Sequence, residues 1–142
     1  MTSLSADASF VAASPLPFTV ACWCVLAAAL LPILCAVVAK AGARGYDNRA
    51  PRAWAGSLHG WRARALAAQQ NGFESLPFFI GAVVIAHQLG APQGRLDLLA
   101  VGWVLVRVAY SAVYMAGGGA TRSAVYALGF ALNVAILFAG YR

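Results

Sequence analysis

Charge is what this sequence has least of: charged residues make up 10% of its 142 positions, and only four are acidic. Soluble domains carry about a quarter charged residues. An ordinary soluble fold is therefore excluded, and the chain reads as an all-α integral membrane protein. No lysine or arginine precedes Lys40, so the polar start, Met1 to Ser14, is not expected to be a secretory signal, which needs a basic beginning. The three cysteines, Cys22, Cys24 and Cys35, fall in the first apolar segment. They have neither metal-ligand spacing nor partners for a disulfide framework, and packing accounts for them. The net charge of +6 is not laid out as a basic face interleaved with aromatics, which excludes a nucleic-acid surface. The length leaves room for one domain of about four spans of ~20 residues, with no separate soluble domain.

What is present divides accordingly. Residues 15–39 form an uncharged first span containing Pro32, where a kink is expected. The one strongly charged loop follows, from Lys40 to His59, with Arg44, Asp47, Arg49 and Arg52 among glycine and proline breakers. A second span is expected over 62–87, a third over 96–116 and a fourth over 122–140. The glycine run Gly117 to Gly119 separates the last two, with Thr121 as expected N-cap. In the fourth span Ala127, Ala131, Ala135 and Ala139 recur every four residues, a stripe that suits helix packing within or between subunits. Asn133 reads as a hydrogen-bonding contact to another helix. Seven basic residues, Lys40, Arg44, Arg49, Arg52, Arg62, Arg64 and Arg122, fall on one side of this arrangement, and Arg95 and Arg142 on the other. That bias predicts a cytoplasmic first loop and outward-facing termini.

The second span is the one that carries polar groups. Gln70, Asn71 and Glu74 sit close together there. Asn71 and Glu74 share a face, Gln70 flanks it, and Arg64 lies two turns back on the same side. Glu74 is twelve residues beyond Arg62, roughly 18 Å along the helix and near the middle of a ~30 Å hydrocarbon core. On the third span Arg107, Tyr110 and Tyr114 follow an i, i+3, i+7 pattern. The two stripes are expected to face each other at similar depth, with Glu74 paired to Arg107. A structural ion pair would account for those two residues. It would not account for the amides and phenols aligned toward the basic end, which suit a small anionic ligand that also bears an amino group.

These residues carry a family resemblance. The run Arg64, Ala65, Ala68, Asn71, Glu74, followed by Pro77, resembles the second-helix signature of the MAPEG family, membrane-associated proteins of eicosanoid and glutathione metabolism. Arg107, Tyr110 and Tyr114 are similar to that family's third-helix motif, and Tyr46 to Arg52 to a stretch of its bacterial members. The resemblance spans nearly the whole chain. It implies a four-transmembrane-helix bundle, a homotrimer, and glutathione held between subunits near the cytoplasmic interface. Arg64, Gln70, Asn71, Glu74, Arg107, Tyr110 and Tyr114 would then contact glutathione or shape its site. Arg122 would stabilise the glutathione thiolate, with Ser123 beside it; a neighbouring guanidinium raises the thiolate fraction that conjugation or peroxide reduction needs.

The sequence also departs from the family pattern. Gln69 stands where a histidine is common, Gln70 where the prostaglandin-forming branch has arginine, and Tyr110 where that branch has histidine. Eicosanoid specificity does not follow. The function implied is a glutathione-dependent transferase or peroxidase acting on lipophilic electrophiles that arrive through the membrane lipids. A non-catalytic lipid- or partner-binding protein of the same fold is the alternative. A small proton-coupled exporter fits less well, because a fixed guanidinium partner would hinder the proton exchange a transport carboxylate performs.

Overall fold

Long apolar runs interrupted by glycine and proline leave the backbone only its own helical hydrogen bonds. The computed structural model describes residues 18–141, and among them there are five helices and no strand. These are α1 (Val20–Lys40), α2 (Pro51–Gly56), α3 (Gly60–Gln88), α4 (Gln93–Ala116) and α5 (Gly119–Leu137). The polar start, residues 15–17 of the expected first span, and Arg142 lie outside the described residues. Helices α1, α4 and α5 are long and apolar enough to cross a membrane. Helix α3, the longest at 29 residues, falls short of that apolarity because it carries the arginines, amides and glutamate described above.

One expectation about a helix end is corrected. Thr121 is not the N-cap of the last helix, because α5 begins at Gly119 with Gly118 in the cap position. The backbone reverses at Gly117 (φ 91°), the C-cap of α4, in the left-handed region that glycine enters without steric cost. Helix α5 therefore starts almost as soon as α4 ends. The charged loop also contains a short helix, α2, opening on Pro51 at its first turn, where the missing N–H costs nothing.

Helix ends are satisfied by side chains from neighbouring helices. At the basic end, Arg62 donates to the carbonyl of Ala41, the C-cap residue of α1, at 3.0 Å. Arg64 Nε donates to the Met115 carbonyl in the last turn of α4 at 2.8 Å. Unpaired carbonyls concentrate negative potential at a helix C-terminus, so guanidinium groups stabilise it there. At the opposite end, the Asp97 carboxylate accepts from the Ala21 N–H in the first turn of α1 at 2.8 Å, and from Gln93 at 2.7 Å. One carboxylate and two arginines thus anchor α1, α3 and α4 by their ends.

Packing between those ends depends on small residues. The inward face of α1 is Ala21, Cys24, Ala28, Pro32, Cys35 and Ala39, at intervals of three and four that trace a helical stripe. The cysteines are free, with Cys24 and Cys35 buried in that stripe. Helix α3 lies against α1, α4 and α5, and its Phe79 ring stacks on Trp103 of α4 with centroids 3.9 Å apart. Helix α1 continues through Pro32, whose ring presses against α3 at Gly72. A Cβ on Gly72 would come within 2.7 Å of Pro32 Cγ. Only glycine allows this approach, since the pyrrolidine ring cannot swing away. In the alanine stripe of α5, Ala127, Ala131 and Ala135 face outward. The inward face of that helix is Gly129, Asn133 and Ile136.

Gly72→Ala is expected to destabilise the protein by about 1–3 kcal/mol, the usual cost of overpacking. Pro32→Ala introduced into the same variant should recover most of the loss. Thermal unfolding in detergent checks this, and two losses that simply add would show that the Pro32 contact is not the cause.

Candidate functional site

Polar residues of α3, α4 and α5 meet where these three helices pack together. Arg107 is the most constrained, only 4% exposed, and a buried guanidinium must be hydrogen-bonded. It donates to Asn71 Oδ1 at 2.8 Å and lies over the Tyr110 ring at 4.4 Å and the Trp103 ring at 5.9 Å. Its own backbone carbonyl accepts from Ser111 at 2.9 Å.

The expected Glu74–Arg107 ion pair is not formed. Asn71 takes the guanidinium, and the Glu74 carboxylate accepts from Gln70 at 3.1 Å on an exposed surface. Helical geometry gives the reason: three residues turn the helix through about 300°, so Glu74 points roughly 60° away from Asn71. The inward direction belongs to the amide and the outward one to the acid. The argument that a fixed cation holds Glu74 therefore loses its premise.

From Arg107 the aromatic and cationic groups continue toward the basic end in one line. Tyr110 meets Tyr114 edge to face at 5.7 Å, and the Arg122 guanidinium of α5 lies over the Tyr114 ring at 4.6 Å. Cations over ring faces are attracted to the ring quadrupole. Asn71, Arg107, Tyr110, Tyr114 and Arg122 are thus in sequential contact across three helices. Arg64 stands apart, its Nε committed to Met115 and its guanidinium backed by the Gly117 turn. Ser123 is exposed, its hydroxyl turned back to the Gly119 carbonyl at 3.5 Å.

Glu74 borders two hollows. One is a pocket of about 100 Å³ between α3, α4 and α5, where Glu74 and Arg107 meet Tyr126 and Asn133. The other is an open depression against Gln69, Gln70 and Phe73. Asn133 is 3% exposed, and its Oδ1 has no hydrogen-bond partner among the described residues. The expected hydrogen bond from Asn133 to another helix is thus absent at that oxygen, and the residue lines the pocket instead. Tyr126 was missed by sequence reasoning, although the signal was available. Arg122, Tyr126 and Asn133 stand four and then seven residues apart, a third polar stripe overshadowed by the alanine repeat.

Residues 20–141 match the profile of the MAPEG family. No curated protein and no solved structure matches the chain.

Asn71→Leu should cost about 1.5–3 kcal/mol, the value of a hydrogen bond to a charged group whose partner is left buried. Asn71→Leu combined with Arg107→Met removes the stranded charge and should cost less than Asn71→Leu alone. Chemical unfolding in mixed micelles distinguishes the two; a double variant weaker than either single one would sink the account.

Proposed function

The chain belongs to the MAPEG family, and from that premise we propose that it is a glutathione-dependent transferase or peroxidase acting on lipophilic electrophiles. The observation that carries this reading is the contact line from Arg122 through Tyr114 and Tyr110 to Arg107 and Asn71, with Glu74 beside it. In this reading α1, α3, α4 and α5 all cross a bacterial inner membrane as a four-helix bundle. The basic loop faces the cytoplasm, and the protein is a homotrimer. Trimer formation would cover Gln70 and Glu74, which are exposed on one subunit and too polar to face lipid.

The residues fit glutathione chemically. The tripeptide carries two carboxylates, an ammonium group and a thiol. Arg122 has an aromatic ring beneath it and no acidic partner among the described residues, so its N–H groups are available to an anion. Arg64 has its terminal nitrogens free of the Met115 contact. Glu74 is the only carboxylate on α3, and its exposure suits it to receive an ammonium group. Bound glutathione would supply the nucleophilic sulfur. Arg122 would hold that sulfur as thiolate by charge, with Ser123 beside it. Tyr110 and Tyr114 would orient and hydrogen-bond the ligand, while Asn71 and Arg107 keep the wall rigid, and Gln70 would hold Glu74 in place.

One observation favours the non-catalytic alternative. An apolar groove of about 430 Å³ runs between α1 and α3, lined by Phe18, Val25, Leu26, Ile80 and Val84 and ending at His87. A lipid chain would fit there without any thiol chemistry.

Calorimetry of detergent-purified protein with glutathione tests the proposal. Wild type should bind. Glu74→Gln should weaken binding by about tenfold or more, the effect of losing roughly 1.5–3 kcal/mol from a charged hydrogen bond. Arg122→Ala should lower turnover of a model electrophile more than it lowers binding. Absence of binding at millimolar glutathione would remove the cofactor and leave the lipid-binding reading.

A further inference from the structure

A second hollow, about 320 Å³, lies at the basic end and is separate from the contact line just described. Its walls are Gly42, Ala43 and Arg44 from the turn after α1, Trp54 and Leu58 from α2 and its exit, and Arg62 from the start of α3. Two guanidinium groups line it and no acid does. The nearest acid in sequence, Asp47, turns its carboxylate to the Arg49 N–H at 2.8 Å. Among the described residues neither Arg44 nor Arg62 has a carboxylate partner.

Arg62 is held in place. Its Nη2 donates to the Ala41 carbonyl, its guanidinium lies over the Trp61 ring at 4.5 Å, and its Nε is buried with no acceptor. The opposite wall is apolar and braced, with Trp54 packed edge to face on Tyr46 at 4.9 Å and Lys40 over Tyr46 at 4.7 Å. One held cation, Arg62, and a second on the exposed turn, Arg44, beside a tryptophan and a leucine where α1 ends and α3 begins, match a group that is anionic at one end and apolar at the other.

We propose that this pocket binds the phosphate headgroup of an anionic phospholipid. Arg44 and Arg62 take the phosphate oxygens, and Trp54 and Leu58 cover the start of the acyl chains. Arginine pairs a phosphate through several donors at once, and basic pockets between helices at a membrane surface recognise anionic headgroups. The apolar wall is what favours a lipid over a free phosphate. This assignment does not depend on glutathione chemistry.

Native mass spectrometry of the full-length protein, offered equal phosphatidylglycerol and phosphatidylcholine in detergent, tests it. Wild type should retain phosphatidylglycerol preferentially. Arg44→Gln, which breaks no hydrogen bond of the fold, should lower that preference about fivefold, the equivalent of ~1 kcal/mol per basic residue at a membrane surface. Arg62→Gln should do the same, while Arg49→Gln, an equal charge change on the same loop outside the pocket, should leave the preference intact. Equal losses in Arg44→Gln and Arg49→Gln would reduce the effect to diffuse charge attraction and overturn the proposal. Displacement of the lipid by glycerol 3-phosphate at matching concentration would make the ligand a free phosphate. Lipid retention unchanged while Arg44→Gln abolishes glutathione binding would give the pocket to glutathione.

Discussion

The interaction on which the interior depends is the hydrogen bond between Arg107 and Asn71. A guanidinium that is 4% exposed among alanine-rich helices is costly unless polar groups meet it, and Asn71 is its hydrogen-bond acceptor. Satisfying it fixes the rotation of α3 against α4, because the amide must point inward. The same requirement sets the sequence of neighbours. Tyr110 lies under the guanidinium, Tyr114 against Tyr110, and Arg122 over Tyr114. A polar line that could bind a ligand is thus also the arrangement that solvates a buried charge.

Small residues make that line possible. With alanine, cysteine and glycine on the inward faces, the helices approach until rings and rigid groups touch, as Pro32 does at Gly72 and Phe79 at Trp103. The ends are then held by charge and not by bulk, Arg62 and Arg64 on the C-termini of α1 and α4, Asp97 on the N-terminus of α1. This gives Arg64 a structural task, although its spacing on α3 suggests a ligand contact. The two roles are compatible because only Nε is committed.

Much of this was legible in the sequence. Apolar run length and glycine breaks indicate long helices, and the i, i+3, i+7 spacing indicates the α4 stripe. The pairing across helices was not legible, since Asn71 and Glu74 differ by about 60° in direction and only packing decides which faces inward. Nor was the role of Asn133. The regular alanines of α5 drew attention to a stripe that faces mostly outward, while the opposite stripe of Arg122, Tyr126 and Asn133 reaches the pocket. The short helix α2 escaped because six residues carry too little periodicity to register.

Glu74 connects the enclosed interior to the subunit surface. It borders both the pocket shared with Arg107 and the open depression with Gln69, Gln70 and Phe73. If α3 crosses the membrane as proposed, this carboxylate cannot be left against hydrocarbon, and whatever covers that depression completes its solvation. In the proposed trimer that cover is a second copy, and a ligand between copies would meet Glu74 on one side and the Arg107 line on the other. The missing ion pair is then consistent with the proposed function: a carboxylate paired with Arg107 would have little left to offer an incoming ammonium group, whereas one that accepts only from the Gln70 amide keeps acceptor positions open for it.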